Sequence, residues 1–233
     1  MNNQLLYQHG TLGALVPGLF QGTLAIGELL KHGDTGIGTL TGLDGELIIM
    51  DGVVYQVSAT GQVMVIENGA VPFANVHFAA FKSAGDIRGA AATAQQQMLA
   101  ALGTHNLFAA VQVRGTFAHM TTRAVKAQQR PYPGLAATAA DQAVFTREQV
   151  AGTLLGYWSP QLYAGMASPG FHLHFLADDH QFGGHVLDYT VAAGTLQTQV
   201  FSDIQLHLPT ADSEFLNADL DGDLLGDITK AEH

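Results

Sequence analysis

The chain has 233 residues, a formal charge of −11 from twenty acidic and nine basic side chains, and no cysteine. That charge argues against electrostatic capture of nucleic acid or anionic membranes, and the missing thiols exclude disulfides, thiolate metal sites and cysteine nucleophiles. With 47% apolar and 12% charged residues, the chain has enough apolar material for one large core or two modest ones, so its expected partners are small molecules or further copies of itself.

The opening MNNQLLYQHG has no basic start leading into an apolar run, and Gly13, Pro17, Gly18 and Gly22 break the apolar stretch behind it. No signal peptide or membrane span is expected, which makes the cytoplasm the expected location. From Glu46 the pattern predicts a meander: ELIIM, a turn at Asp51-Gly52, VVYQV, a turn near Thr60-Gly61, VMVI, a turn at Asn68-Gly69, then FANVHFAAF. Asp-Gly and Asn-Gly between short apolar runs are hairpin signals because they tolerate positive φ. DIRGAAATAQQQMLAAL, from Asp86 to Leu102, predicts the main helix, stopped by Gly103. NLFAAVQV then predicts a strand that turns at Arg114-Gly115 into TFAHMTTRAV.

PYPGLAATAADQAVF, from Pro131 to Phe145, reads as a connection. A boundary near Ala140 is expected to separate an N-terminal β-rich domain with the main helix, 1–140, from a C-terminal antiparallel domain, 141–233, carrying the metal site and a C-terminal tail. After a helical turn at Thr146 to Val150, AGTLLGYW, FHLHFL, HVLDYTV, TLQTQVF and IQLHL predict strands, and the tail from Asp212 is acidic and irregular. The fold class is α+β: two sheet-based domains of mixed or antiparallel strands with one main helix in the first half.

The stretch GFHLHFLADDHQFGGHVLDY, Gly170 to Tyr189, holds four of the eleven histidines. Strand alternation puts His172 and His174 on one face and Phe171, Leu173 and Phe175 on the other, with the two histidine Cα atoms about 6.5 Å apart. His185 follows a Gly183-Gly184 closure, so hairpin geometry returns it beside them. Three imidazoles with an open fourth position is the pattern of a catalytic zinc site. His180 is the weaker fourth candidate, and Asp178 and Asp179 could hold ligand N–H groups. From spacing alone two readings stand, a metal site and an imidazole-rich surface hairpin. The tail segment DLDGD, Asp219 to Asp223, hints at a calcium loop, but Leu224 and Lys230 stand where glycine and the bidentate glutamate are needed, so no calcium is expected.

Together GDTGIGTLTGLDGELIIMDG, TRAVKAQQRPY, the histidine hairpin and the tail FLNADLDGDLLGDITKAE resemble the bacterial α-acetolactate decarboxylase family, over nearly the whole chain from about residue 20. The resemblance implies a zinc-dependent decarboxylase, a homodimer, and two sheet-containing halves with the metal in the second. Carried over residue by residue, it implies zinc ligands at His172, His174 and His185, an active-site glutamate at Glu46, an arginine at Arg123 and a second glutamate at Glu232. It also places Thr39 in the substrate pocket. The implied reaction converts 2-acetolactate to acetoin and carbon dioxide, with zinc chelating the substrate's ketone and hydroxyl, Arg123 holding its carboxylate and a glutamate supplying a proton. Two other readings remain open at this point: a cupin-like metal enzyme using the H-x-H strand with an acid near Asp178, and a non-catalytic β-rich binding protein.

Overall fold

A computed structural model describes residues 2–221 and Gly226. The first part of the chain runs through β1 (Leu5–His9), the single-turn α1 (Leu12–Leu15), β2 (Leu24–Ala25), α2 (Ile26–Leu29), β3 (Thr35–Thr39) and β4 (Glu46–Met50). It continues with β5 (Val53–Val57), β6 (Val63–Val65), β7 (Ala70–Val71) and β8 (Phe73–His77). Then come β9 (Lys82–Ala90), α3 (Ala91–Leu102), β10 (Ala109–Ala124), α4 (Leu135–Ala140) and β11 (Ala143–Ser159). The last described elements are β12 (Gly170–Ala177), β13 (Gly183–Val200), β14 (Asp203–His207) and α5 (Ser213–Asn217).

Among the described residues the strands form a seven-stranded sheet, a five-stranded sheet and a small β2–β7 ribbon. The seven-stranded sheet runs β14-β1-β8-β3-β4-β5-β6 and is mixed, because β14 lies parallel to β1 while its other pairings are antiparallel. In the second sheet, β10-β11-β12-β13-β9, an additional β10–β13 pairing closes four strands on themselves. Strands β9 and β10 and helix α3 precede residue 140 yet pack with β11–β13, and β14 returns to the first sheet, so the chain passes between the sheets repeatedly. This is the α+β class expected, β-rich with α3 as the main helix.

The β4–β5 turn has Asp51 at φ 53 and Gly52 at φ 77, the double positive-φ conformation that its Asp-Gly sequence favours. Helix α3 ends where expected, with Gly103 at φ 65 closing it through a bond to the Leu99 carbonyl. It starts later than expected. Residues 86–90 extend β9, where Ile87 pairs with Gly194, because the edge of β13 offers backbone partners that outweigh local helix propensity.

The expected turn at Arg114-Gly115 is absent, since both residues lie inside β10. Gly115 faces Gly152 on one side and Gly194 on the other, and a Cβ there would stand 2.2 Å from the Ala193 carbonyl oxygen. That glycine permits close strand approach instead of a turn. The expected helical turn at Thr146 to Val150 is also strand, in β11, with Gln149 at φ 51 taking up an irregularity between the His119–Glu148 and Phe117–Val150 pairs. HVLDYTV and TLQTQV are one strand, β13, which ends at Val200 before Phe201.

Helix α3 packs Ala94, Met98 and Leu102 onto a core that includes Phe117, Phe175 and Tyr189. The sheets also share a core. Ile48 and Val57 of the first meet Ala124, Leu155 and Leu176 of the second, all nearly inaccessible, and burial of each large aliphatic among them contributes about 1.5–3 kcal/mol. Among the described residues, no helix is long and apolar enough to cross a membrane.

Candidate metal centre and active site

The site lies on the seam between the sheets. Alternation along β12 turns Phe171, Leu173 and Phe175 toward the α3 core, leaving His172, His174 and Leu176 to face the first sheet. His185 on β13 pairs directly with His174 on β12 and with Arg123 on β10. This convergence depends on Gly183 and Gly184. A Cβ on Gly183 would lie 2.5 Å from the Phe175 carbonyl oxygen; one on Gly184, at φ 128, would lie 2.4 Å from that of Arg123. The three imidazoles thus meet, with ring centroids 5.2 Å (His172–His174), 4.9 Å (His172–His185) and 5.4 Å (His174–His185) apart, and one nitrogen from each falls within 4.8 Å of the others. The three histidines that strand alternation and the hairpin return were expected to bring together therefore form a group that could hold a metal ion.

His174 is the most constrained of the three. Its Nδ1–H donates to the Leu47 carbonyl at 2.8 Å, which fixes the tautomer and leaves Nε2 as a bare lone pair. Burial, reinforced by His172 and Arg123 and opposed by the Leu47 bond, holds its pKa well below the usual histidine range. The ring is neutral at pH 7, as a metal ligand must be. Its Nε2 is buried with no hydrogen-bond partner, and a carboxylate oxygen of Glu46 stands 3.6 Å away. A neutral imidazole brings no second charge to that pairing, and the separation is too long for a hydrogen bond. Two electron-rich atoms facing each other in a buried seam are stabilised by a cation between or beside them.

Thr39 and Glu46 reach the same cavity because they pair across the β3–β4 hairpin and so share a face. The Thr39 hydroxyl donates to the Gly45 carbonyl at 2.8 Å, and Gln56 Nε2 to that of Asp44 at 2.8 Å, bracing the turn that sets Glu46. Glu46 and Arg123 are both buried, at 7% and 6% exposure. Arg123 Nη1 donates to Gln142 Oε1 at 2.8 Å. Together with the three histidines, Thr39, Glu46 and Arg123 form the polar lining of a cavity whose apolar wall includes Leu12, Leu43, Phe73, Val125 and Leu135. Phe73 also stacks on His172 with centroids 6.5 Å apart.

Glu232, the remaining candidate, lies outside the described residues. His180 is not part of the cluster: it sits in the β12–β13 turn at φ 52 with its ring 4.8 Å from that of Tyr55. Asp178 and Asp179 are exposed, and Asp179 pairs with Arg147 at 2.6 Å; the acceptor that fixes the His174 ring is the Leu47 carbonyl instead. The acid that a cupin-like site would draw from near Asp178 is absent from the three-histidine group. Sequence reasoning missed Leu47 and Gln142. The first acts through its backbone and carries no residue-type signal, and the second is an ordinary polar residue in a connection.

A family profile described as Alpha-acetolactate decarboxylase matches residues 6–222. An alpha-acetolactate decarboxylase of Lactococcus lactis subsp. lactis is 38% identical over 233 residues, covering 97% of this chain and 98% of the relative. One from Streptococcus thermophilus is 36% identical over 234 residues, with the same two coverages of 97% and 98%. The crystal structure of alpha-acetolactate decarboxylase from Bacillus subtilis strain 168 superposes with a TM-score of 0.94 at 33% identity, spanning 98% of this chain and 99% of that one. Similarity of this extent in both sequence and fold shows that the chain belongs to the alpha-acetolactate decarboxylase family of carboxy-lyases.

Proposed function

We propose that the chain catalyses zinc-dependent decarboxylation of 2-acetolactate (2-hydroxy-2-methyl-3-oxobutanoate) to acetoin and carbon dioxide. The observation that carries this reading is the bare, buried Nε2 of His174, converging with His172 and His185 beside Glu46. The donor set fits zinc: three imidazoles, one locked in its tautomer by a backbone carbonyl, with room for further ligands on the cavity side. Bound zinc would supply Lewis-acid stabilisation of the negative charge that builds on the substrate's ketone oxygen, worth several kcal/mol of barrier.

The protein's own groups do the rest. Arg123 pairs its planar guanidinium with the substrate carboxylate and holds the carbon–carbon bond that breaks in line with the ketone π system, which lysine would do less well for want of the fork. As carbon dioxide leaves, its bonding electrons pass into the adjacent ketone and form an enediolate. Glu46 in its acid form delivers a proton to the carbon that lost carbon dioxide, on one face, and so sets the configuration of acetoin. Glu232 is the second candidate donor. Thr39 shapes the substrate pocket beside Glu46, and the leucine and phenylalanine wall keeps water from supplying the proton on the wrong face. Family likeness, with exposed Val65 and Leu206 on the edge strands β6 and β14, also supports a homodimer.

The test is acetoin formation from racemic acetolactate, paired with elemental analysis of the same sample. Stoichiometric zinc, activity lost to chelator and activity restored by zinc are expected. Metal-loaded protein that makes no acetoin would sink the proposal.

A further inference from the structure

We propose that Leu135 is a specificity-determining residue that limits the length of the alkyl groups a substrate can carry. The inference rests on the function proposed above and narrows the class of 2-hydroxy-3-oxo acids that fit. The cavity lining is of two kinds. Its polar part, the three histidines with Thr39, Glu46 and Arg123, is where the oxygens of such an acid find partners, which leaves the alkyl groups to the apolar wall. That wall comprises Leu12 and Leu15 of α1 with Leu43, Phe73, Val125 and Leu135, and all six belong to one buried apolar cluster.

The wall acts as a gauge because its backbone is tied. Leu135 N–H donates to the Val16 carbonyl at 3.0 Å, Gly42 N–H to that of Phe20 at 2.7 Å, Gln128 N–H to that of Gly42 at 2.7 Å and Gly45 N–H to that of Val125 at 3.1 Å. Segments 12–20, 41–45 and 125–135 are thereby joined to one another. They approach so closely that a Cβ on Gly18, at φ 101, would stand 2.7 Å from the Pro133 carbonyl oxygen, and one on Gly42, at φ 73, 2.6 Å from that of Gln128. A wall tied in this way yields little to an extra methylene, so a longer alkyl group meets overpacking. Leu135 is the member that can be trimmed with least disturbance elsewhere. It opens α4, is 7% exposed, and is tied to Val16 by its backbone. Phe73 by contrast stacks on His172, Leu43 holds a φ of 54, and Leu12 and Leu15 share a single helical turn.

The experiment compares kcat/KM for acetolactate with that for two homologues, 2-hydroxy-3-oxo-2-propylbutanoate and 2-hydroxy-2-methyl-3-oxohexanoate, in wild type, Leu135→Ala and Leu135→Val. Zinc content is read on the same samples. Wild type is expected to favour acetolactate over at least one homologue by about tenfold or more, and Leu135→Ala to reduce that preference about tenfold, with Leu135→Val between the two. The valine variant, a smaller step, carries the test if the alanine variant does not fold. Because the preference is a ratio, a loosened wall that merely lowers activity on every substrate leaves it unchanged. Wild type that makes acetoin without favouring acetolactate overturns this inference alone, as does a preference that is the same in the variants as in wild type. Wild-type protein that makes no acetoin overturns the function and this inference with it.

Discussion

Glu46 has an environment in which one atom decides its use. It is buried, set by a braced hairpin turn, and carries a carboxylate oxygen 3.6 Å from His174 Nε2, too far for a hydrogen bond between them. Glu46→Gln keeps the shape and removes the transferable proton. Turnover is expected to fall by about 10²- to 10⁴-fold, the usual share of a general acid, with zinc content unchanged. Equilibrium dialysis against zinc checks the second half, and loss of metal would recast Glu46 as a ligand. His174 is expected to behave in the opposite way: His174→Ala should lose metal before anything else, because the nitrogen that the Leu47 carbonyl orients is gone.

At the scale of elements, the closure of β12 onto β13 depends on glycine. Gly184→Ala places a methyl group 2.4 Å from the Arg123 carbonyl at a φ of 128. Strain at such a position costs of order 1–3 kcal/mol before the clash is counted. Chemical denaturation should show at least that loss, and zinc affinity should fall with it, whereas an unshifted midpoint would mean that β10 and β13 can separate freely. The same element shows what the sequence makes legible. The period of two along Phe171 to Phe175 and the Gly-Gly before His185 suffice to bring three histidines together, because strand alternation and hairpin return are local rules. Gly115 shows the limit: a glycine that fits a turn equally fits a close approach of three strands, and only the partners Gly152 and Gly194 tell the two apart. The Leu47 contact to His174 spans 127 residues and involves no side-chain chemistry on the leucine, so no local pattern encodes it. Glu46, Arg123 and Thr39 carry no local signal of their own, and only family likeness picks them out.

For the molecule as a whole, the relation between the two sheets decides whether His174 and Glu46 meet, since one sits on β12 and the other on β4. A buried polar contact helps fix that relation. Tyr157 of β11 bonds His77 Nδ1 of β8 at 2.8 Å and reaches the Asn75 and Thr35 carbonyls at 3.3 and 3.4 Å. Burial, only partly offset by Asp34, pushes His77 down to about 3. His9, likewise lowered by burial and by His207, lies at about 4. Both rings bind protons more readily when unfolded, so their contribution to stability is complete above about pH 6.5 and is lost as pH falls through that value toward their folded pKa. Unfolding of wild type and His77→Phe, compared at several pH values between about 6.5 and 4, should show the variant with a shallower slope, by up to about 1.4 kcal/mol per pH unit. Equal slopes would mean that His77 charges without cost. The first sheet carries a further consequence. Strand β1 receives its parallel neighbour β14 from a segment 198 residues later, as the His9–His207 contact marks. During synthesis on the ribosome that flank of β1 stays open until β14 has emerged, which makes it a place where a chaperone or a second nascent chain would find an unpaired strand.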